Sequence, residues 1–438
     1  MAGAVEPQRL SAADASNVEM DSPDQVNVFL LAGILGAGGF VSDDGTPDLD
    51  ALRVALEERI DAVPSDATAG LRRRVRRLGG DLVWEACRPD LAWHIRMAEP
   101  VQGTTGLGEL AARQMTQPLP RDRPMWELLV VPGAGSPGPG IVFRLHHSVA
   151  DGVAAVALVQ ELFGGAPVAD PRRPDRQARP RTEPPHTSHR SRLRSVVTGM
   201  RRVTAVFRAT VPPTVLLGPI GPRRGVAFAE VGLEDVARAA KAVGATVNDA
   251  LLAAVAVGAD AALREAGQSV PAVLPASVPV ALPARGTSGN AVGVMMVPLA
   301  TGQDDPDLRL REIAAVTRAA RAEARTQGTF ELTRTRWGSR AFAWLARRQR
   351  FIALFVTNVR GPAAPMLVAG APLLQAWPVA PIQGNVRLGV AAMSYAGRLF
   401  VTVHTDAEAV DAAVTARAIE AELVRITRGS RPPCGAPS

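Results

Sequence analysis

The sequence predicts a mixed α/β protein built as two domains, and three observations carry that expectation. First, 438 residues with 47% apolar content exceed what one hydrophobic core usually organises and supply enough apolar side chains for proper cores. Second, strand and helix periodicities alternate along the chain, most plainly over Gly140–Phe163, GIVFRLHHSVADGVAAVALVQELF. There Ile141, Phe143, Leu145 and His147 alternate with Val142, Arg144 and His146, the period of a strand. Beyond Asp151-Gly152 the apolar positions Val153, Val156, Ala157, Leu162 and Phe163 take a spacing closer to helical. Third, composition breaks in the middle: Pro171–Arg208 holds eleven Arg against Asp175 and Glu183, a net +9 that exceeds the whole chain's +7. A domain over 1–165, a basic linker over 166–215, a second domain over 216–430 and a short tail over 431–438 follow from that break.

Taken in order, residues 1–20 are polar and read as a frayed terminus. Asp24–Leu31 reads as a strand or a short helix, and Leu49, Leu52, Leu56 and Ile60 mark an amphipathic helix behind Asp48 and Asp50. Leu71–Leu78 crowds Arg72, Arg73, Arg74, Arg76 and Arg77, either a solvated basic face or a contact for a phosphate-bearing ligand. Strands are expected over Asp81–Ile95 and Trp126–Val131, with a helix over Leu107–Met115 between them. The Pro-punctuated PLPRDRPMW and the GAGSPGPG stretch at 133–140 are loops, the second leading into the central strand.

The second domain opens near Gly218 with a helix over Gly232–Val243. Another starts at Thr246-Val247-Asn248-Asp249, where Thr246 and Asp249 have the spacing of a capping box. Strands follow at Ser277–Leu282, Val292–Leu299 and Ile352–Val359, with helices over 308–326 and 330–348 among them. A hairpin about Ala396-Gly397 joins Leu388–Tyr395 to Leu399–Val403, and a helix over 408–427 closes the fold.

Composition also narrows function. Cys87 and Cys434 are too few and too distant for a disulfide framework or a metal knuckle, which reads as a reducing cytoplasm. The N-terminus lacks the basic-then-apolar layout of a signal peptide, and the longest apolar run near it, Val28–Val41, is too short and too rich in Gly to span a bilayer. Basic charge is nearly all Arg, with Lys241 the one lysine, and it is concentrated in the linker without interleaved aromatics. That argues against nucleic acid. Within the linker, Leu193, Val196, Val197, Met200, Val203 and Phe207 recur at three- and four-residue spacing between arginines. The pattern suits a basic amphipathic helix at an anionic lipid surface, or a tether packed on the second domain.

The chemistry-bearing motif is His146-His147-Ser148-Val149-Ala150-Asp151-Gly152. An imidazole at a strand end can take a proton from a hydroxyl near neutral pH, so His147 is the candidate general base. A histidine there can equally be structural, and Asp-Gly is a common turn. The combination resembles the HHxxxDG motif of the CoA-dependent acyltransferase superfamily.

Other stretches extend the resemblance to one family, the bacterial wax ester synthases/diacylglycerol acyltransferases, over roughly 20–428 less the linker. Pro124-Met125-Trp126 resembles the family's Pro-Leu-Trp segment. Gly221-Pro222-Arg223-Arg224 leads into the Asn248-Asp249 pair, which matches a motif at a helix start. Val278-Pro279-Val280 with Gly289-Asn290, then Thr357-Asn358-Val359-Arg360-Gly361-Pro362, then Ser394-Tyr395 with Gly397 continue the series in order. The resemblance implies two chloramphenicol-acetyltransferase-like domains with a substrate tunnel between them. It implies acyl-CoA as co-substrate, with no bound cofactor or metal, and diacylglycerol or a fatty alcohol as acceptor. His147 would be the base, with His146, Asp151 and Gly152 in the catalytic motif and Asp151 holding the turn. Pro124, Met125, Trp126, Asn248 and Asp249 would belong to the substrate site, and Asn248 is a candidate for the oxyanion donor. Poorly soluble substrates imply a cytoplasmic enzyme held peripherally at the membrane's inner face or at lipid droplets. Met125 in place of Leu, Arg360 in place of Pro and the lack of the family's usual opening bear on the acceptor more than on the activity. A specialised alcohol as acceptor, or an inactive lipid-coating paralogue, are the competing readings.

Overall fold

A computed structural model describes residues 8–22, 25–62, 68–136, 138–150, 152–164, 211–281, 292–324 and 346–429. Asp151, residues 165–210 of the basic linker, Gly289-Asn290, most of the helix expected over 330–348, Cys434 and the tail lie outside them.

The first half contains β1 (Gln8–Arg9), α1 (Ala12–Met20), β2 (Val28–Leu35), α2 (Leu49–Ala62), β3 (Arg73–Leu78), β4 (Asp81–Ala86), α3 (Leu91–His94), β5 (Ile95–Met97), α4 (Gly103–Gln114), β6 (Trp126–Val131), β7 (Gly140–His146) and α5 (Gly152–Phe163). The second contains β8 (Arg224–Gly232), α6 (Leu233–Ala242), α7 (Val247–Glu265), β9 (Val273–Ala281), β10 (Val292–Ala300), α8 (Pro306–Ala324), β11 (Leu354–Arg360), β12 (Leu367–Val368), β13 (Ala371–Val379), β14 (Leu388–Tyr395), β15 (Arg398–Asp406) and α9 (Ala412–Gly429). Two six-stranded sheets result, ordered β12-β13-β2-β7-β6-β5 and β10-β9-β11-β14-β15-β8, with β1-β4-β3 as a small side sheet.

In the first sheet, β6 and β7 are buried along their whole lengths and β2 nearly so, which explains their almost continuous apolar sequences. One ion pair interrupts them. Glu127 and Arg144 stand opposite each other across β6 and β7, joined by Arg144 Nε to Glu127 Oε1 at 2.6 Å. Arg96 donates to Glu127 Oε2 at 2.5 Å, and Arg144 Nη1 donates to the Gln114 and Gln117 carbonyls at 2.6 and 2.7 Å. A slip of one residue would part these charges inside the core, so the pair holds the register.

The second sheet is covered by α7, whose residues from Asp249 to Leu263 are almost all buried. The helix can lie close because Gly258 faces Ile419 of α9, where an added Cβ would come within 2.6 Å. The expected hairpin is present: Ala396 and Gly397 both have positive φ, 46° and 79°, as a two-residue turn between antiparallel strands requires.

Several expectations change against the structure. The terminus read as frayed includes a helix, α1, whose Ser11 cap accepts from the Asp14 amide; Val18 is fully buried. Polarity misled because the helix turns one polar side chain, Asn17, inward to His147 and Asn27. Of residues 24–31, open between strand and short helix, the strand β2 takes those from Val28 onward, and Asp24 lies outside the described residues. The edge strand β8 went unread. So did the excursion β12–β13, in which residues 367–379 leave the second half and β13 pairs antiparallel with β2. A division by sequence position at 216–430 and a division by sheet therefore differ over this segment. Within the stretch read as linker up to 215, Val211 is buried in the second core, and the Val215 amide donates to Gln268 Oε1 at 2.8 Å.

Two contacts join the two sheets through β13 and the segment before it. Trp377 of β13 stacks on Phe228 of β8 at 4.7 Å and meets Phe400 edge-on at 5.5 Å. The buried Tyr395 hydroxyl donates to the Leu373 carbonyl at 2.7 Å and accepts from the Met366 amide at 2.8 Å.

Candidate active site

Strand β7 ends on His146, and the chain turns immediately. The Val149 amide donates to the His146 carbonyl at 2.9 Å, and the His147 amide still pairs with the Asn27 carbonyl at 2.9 Å. His147 is therefore mounted on the end of the sheet rather than on a free loop. Its half-buried ring lies on Phe29 of β2, with centroids 4.3 Å apart.

By alternation His147 shares a face with Leu145 and Phe143, which with Phe29 form one wall of a cavity. Helix α5 supplies a second wall through Gly152, Ala155, Val156, Val159 and Gln160, a stripe at helical spacing. Thr357 and Val359 of β11, with Ala391 and Met393 of β14, close it from the second sheet. About 730 Å³ of atom-free space lies between these walls, part of it open to solvent. Position 152 borders the opening: an added Cβ there would meet only Val359 Cγ1, at 3.9 Å.

The two histidines have different surroundings. His146 is fully buried on the opposite strand face. Its Nδ1 accepts from the Ser148 amide at 3.1 Å, which leaves the proton of the neutral ring on Nε2, 3.0 Å from Asp21 Oδ2. His147 Nδ1 lies 3.4 Å from Asn17 Nδ2. Asn27 orients that amide: its Nδ2 lies 3.3 Å from both Asn17 Oδ1 and the Asn17 carbonyl. Asn27 Oδ1 in turn accepts from Gln383 Nε2 at 2.5 Å, and the Asn27 amide donates to Asp21 Oδ1 at 2.7 Å. One polar network thus ties α1, β2 and the loop after β13 to both histidines.

The network has a consequence for the ring. While Asn17 donates to Nδ1, neutral His147 carries its proton on Nε2. Action as a base at Nε2 requires the other tautomer, with Asn17's carboxamide oxygen turned toward Nδ1–H. Asn27 can keep its bond to the Asn17 carbonyl during that turn.

The other expected site residues separate into groups. Pro124, Met125 and Trp126 are buried below the motif and are not cavity walls. The Met125 carbonyl accepts from the His146 amide at 3.0 Å, and Trp126 donates from Nε1 to the Leu71 carbonyl at 3.1 Å. Asp249 completes the capping box with Thr246 and also accepts from Thr317 Oγ1 at 2.6 Å. Asn248 Oδ1 lies 3.4 Å from Asn358 Nδ2. Asn358 points to the side of β11 opposite Thr357 and Val359, so the Asn248–Asn358 pair sits behind the cavity wall. The arginine run is internally matched: Arg74 and Arg76 pair with Glu85, Arg72 with Asp61 and Arg77 with Glu19, which favours a solvated face over a phosphate contact. Asn17, Asn27, Gln383 and Gln160 were missed. Isolated amides carry no spacing signal, and only the fold brings the first three together.

Comparison with known proteins agrees with this architecture. Residues 10–251 match the profile of the wax ester synthase/diacylglycerol acyltransferase catalytic domain, and residues 288–427 match that of the WS/DGAT C-terminal domain. A probable diacylglycerol O-acyltransferase, tgs1, of Mycobacterium tuberculosis is 30% identical, with 96% of each chain covered. A putative diacylglycerol O-acyltransferase of the same species is 31% identical over 79% of this chain and 83% of its own. Among solved structures, the wax ester synthase/diacylglycerol acyltransferase of Marinobacter aquaeolei VT8 superposes with a TM-score of 0.70 at 20% identity, covering 96% of this chain and 99% of that one. The trichothecene 15-O-acetyltransferase of Fusarium sporotrichioides shares the fold at a TM-score of 0.63 and 12% identity, covering 96% and 94%. With both family domains matched in order around the motif-bearing strand, the chain belongs to the wax ester synthase/diacylglycerol acyltransferase family.

Proposed function

We propose that His147 is the general base of acyl transfer in this chain. As a member of its family the protein is an acyl-CoA-dependent O-acyltransferase, moving an acyl group to diacylglycerol or a fatty alcohol. One observation carries the assignment of the base: of the two adjacent histidines, His147 shares its strand face with the walls of the apolar cavity, while His146 is enclosed in a structural network.

In the proposed step the acceptor hydroxyl lies within hydrogen-bond reach of the His147 ring, about 3 Å. His147 takes its proton as the oxygen attacks the thioester carbonyl. The C–O bond forms and the C–S bond breaks; CoA leaves as the thiolate and takes the proton back from the imidazolium. No covalent enzyme intermediate is needed. The apolar walls of the cavity suit an aliphatic chain, and a bound chain displaces water, which would otherwise compete as acceptor. Gly152 contributes by leaving space where the helix begins.

Labelled long-chain acyl-CoA supplied with a panel of alcohols, including diacylglycerol and hexadecanol, tests this reading. Labelled triacylglycerol or wax ester is the expected product. Transfer only to a small specialised alcohol would reassign the acceptor, and no transfer by folded protein would favour a non-catalytic lipid-coating role.

The proposal includes peripheral attachment to an anionic lipid surface. Among the described residues no single helix is long and apolar enough to cross a membrane. The sequence of 171–208 combines eleven Arg with an apolar stripe, and each basic residue near such a surface contributes about 1 kcal/mol. Sedimentation with anionic vesicles, partly reversed by salt, is the expected behaviour. Changing Arg190, Arg192, Arg194, Arg201 and Arg202 to Gln weakens it; binding indifferent to salt and to these changes would assign the contact elsewhere.

A further inference from the structure

We propose that Gln160 makes the cavity beside His147 selective for an aliphatic chain bearing an oxygen part-way along its length; this deepens the acyl-transfer reading and rests on it. The stripe of α5 that faces the cavity runs Gly152, Ala155, Val156, Val159 and then Gln160. Four members have no polar side-chain atom, and the fifth ends in a carboxamide. Gln160 is only 7% exposed, and its Nε2 is buried without a hydrogen-bond partner among the described residues. It stands eight residues beyond Gly152, about 12 Å along the helix. Among the remaining side chains in the walls, only Thr357 carries a hydroxyl, on the sheet opposite α5.

A wall needed only to hold a saturated chain would be served by Leu at this position, since a buried amide donor without an acceptor is unfavourable. A saturated chain seated against Gln160 leaves its N–H groups unpaired. A hydroxyl or carbonyl oxygen at the same depth accepts from them and restores the lost hydrogen bond. Discrimination of this kind is strong because a site made to bond an oxygen rejects the analogue without one. The oxygen can belong to the acyl chain of the donor or to the chain of the acceptor alcohol, and Gln160 would read either by the same bond.

Two pairs of reactions separate these sources in wild type, Gln160→Leu and Gln160→Met. The first compares hexadecanoyl-CoA with its mid-chain hydroxylated form, using hexadecanol as acceptor. The second compares hexadecanol with a mid-chain hexadecanediol, using hexadecanoyl-CoA. In one pair the ratio of kcat/KM for the oxygenated over the plain substrate is expected to fall about tenfold in both variants, and that pair identifies which chain enters the cavity. Ratios unchanged by either substitution in both pairs overturn the proposal. Calorimetric titration with hexadecanoic acid and its mid-chain hydroxy form gives a readout without turnover. A binding preference lost in the variants, beside no transfer by wild type, would keep Gln160 as selector and remove the acyl-transfer reading. Equal binding of both acids by wild type overturns the selector.

Discussion

Helices α5 and α7 differ in their neighbours, α5 touching α2, β11 and β12 while α7 lies among α6, α8, α9 and β10, and they are built to different ends. Helix α7 begins with a closed capping box at Thr246 and Asp249 and is buried along most of its length. Helix α5 begins at Gly152, where a side chain would meet almost nothing, and turns one stripe to a cavity rather than to the core. The second half shows what this architecture does when packing is completed. The first leaves packing incomplete along one stripe of α5, beside the strand end that carries His147.

The largest expected effect falls on the histidines that divide these roles. His147→Ala is expected to reduce kcat on the order of 10²–10⁴-fold with an unchanged melting temperature. His146→Ala removes the bonds to Ser148 and Asp21, so its first effect is a lower melting temperature. Steady-state kinetics beside thermal unfolding separate the two. A folded His146→Ala enzyme more impaired than His147→Ala would reverse the assignment of the base.

Truncation of the two helices tests the contrast directly. Leu252 of α7 is fully buried, and Leu252→Ala is expected to cost about 2–5 kcal/mol of unfolding free energy. Val156 of α5 already borders open space, so Val156→Ala is expected to cost less than half as much and to shift the preferred chain length instead. Urea titration and a chain-length series of acyl-CoA measure both. Equal destabilisation would mean that the cavity wall is core after all.

Much of this division was legible in the sequence, unevenly and for physical reasons. Strand β7 and helix α5 are written in alternating and then helical apolar spacing, and the Thr246–Asp249 cap is local chemistry with a fixed interval. The excursion β12–β13 was not legible, because pairing of β13 with β2 joins residues more than three hundred positions apart and leaves no local signal. The same applies to the site. The two histidines announce themselves as a motif, whereas Asn17 and Gln383 become neighbours of that motif only through long-range folding. Polarity at the N-terminus, read as fraying, belongs to a helix that contacts His147.

Buried histidines on other elements provide an internal control with a pH signature. His404 of β15 donates from Nδ1 to the Ala380 carbonyl at 2.8 Å, and burial lowers its pKa from 6.5 to about 4 despite that bond. His94 is likewise lowered to about 4, chiefly by burial. Between pH 6.5 and 4 the unfolded chain takes up protons at these sites and the folded chain does not. Stability therefore falls as pH falls through this window and levels off below it, by about 3 kcal/mol for His404. Urea unfolding at a series of pH values measures the slope, and His404→Asn is expected to flatten it. An unaltered slope would remove His404 from the account.

The smallest effect concerns the amide that faces His147. Asn17 touches His147 Nδ1, and its orientation is set by Asn27, which Gln383 reaches from the other half of the chain. If Asn17 positions the ring and helps select its tautomer, Asn17→Ala lowers kcat about tenfold, at the lower end of what a misplaced base loses, with KM little changed. Asn17→Asp supplies a permanent acceptor for Nδ1–H and so favours the tautomer whose Nε2 lone pair is available. Its carboxylate also stabilises the imidazolium, raising the pKa of the base and moving the acidic limb of the kcat profile to higher pH. A role in stability alone predicts neither the recovery of kcat by Asp nor the moved limb. Determining kcat from pH 5 to 9 for wild type and both variants decides the matter: Asp as impaired as Ala, with an unmoved acidic limb, would reduce Asn17 to a packing residue of α1.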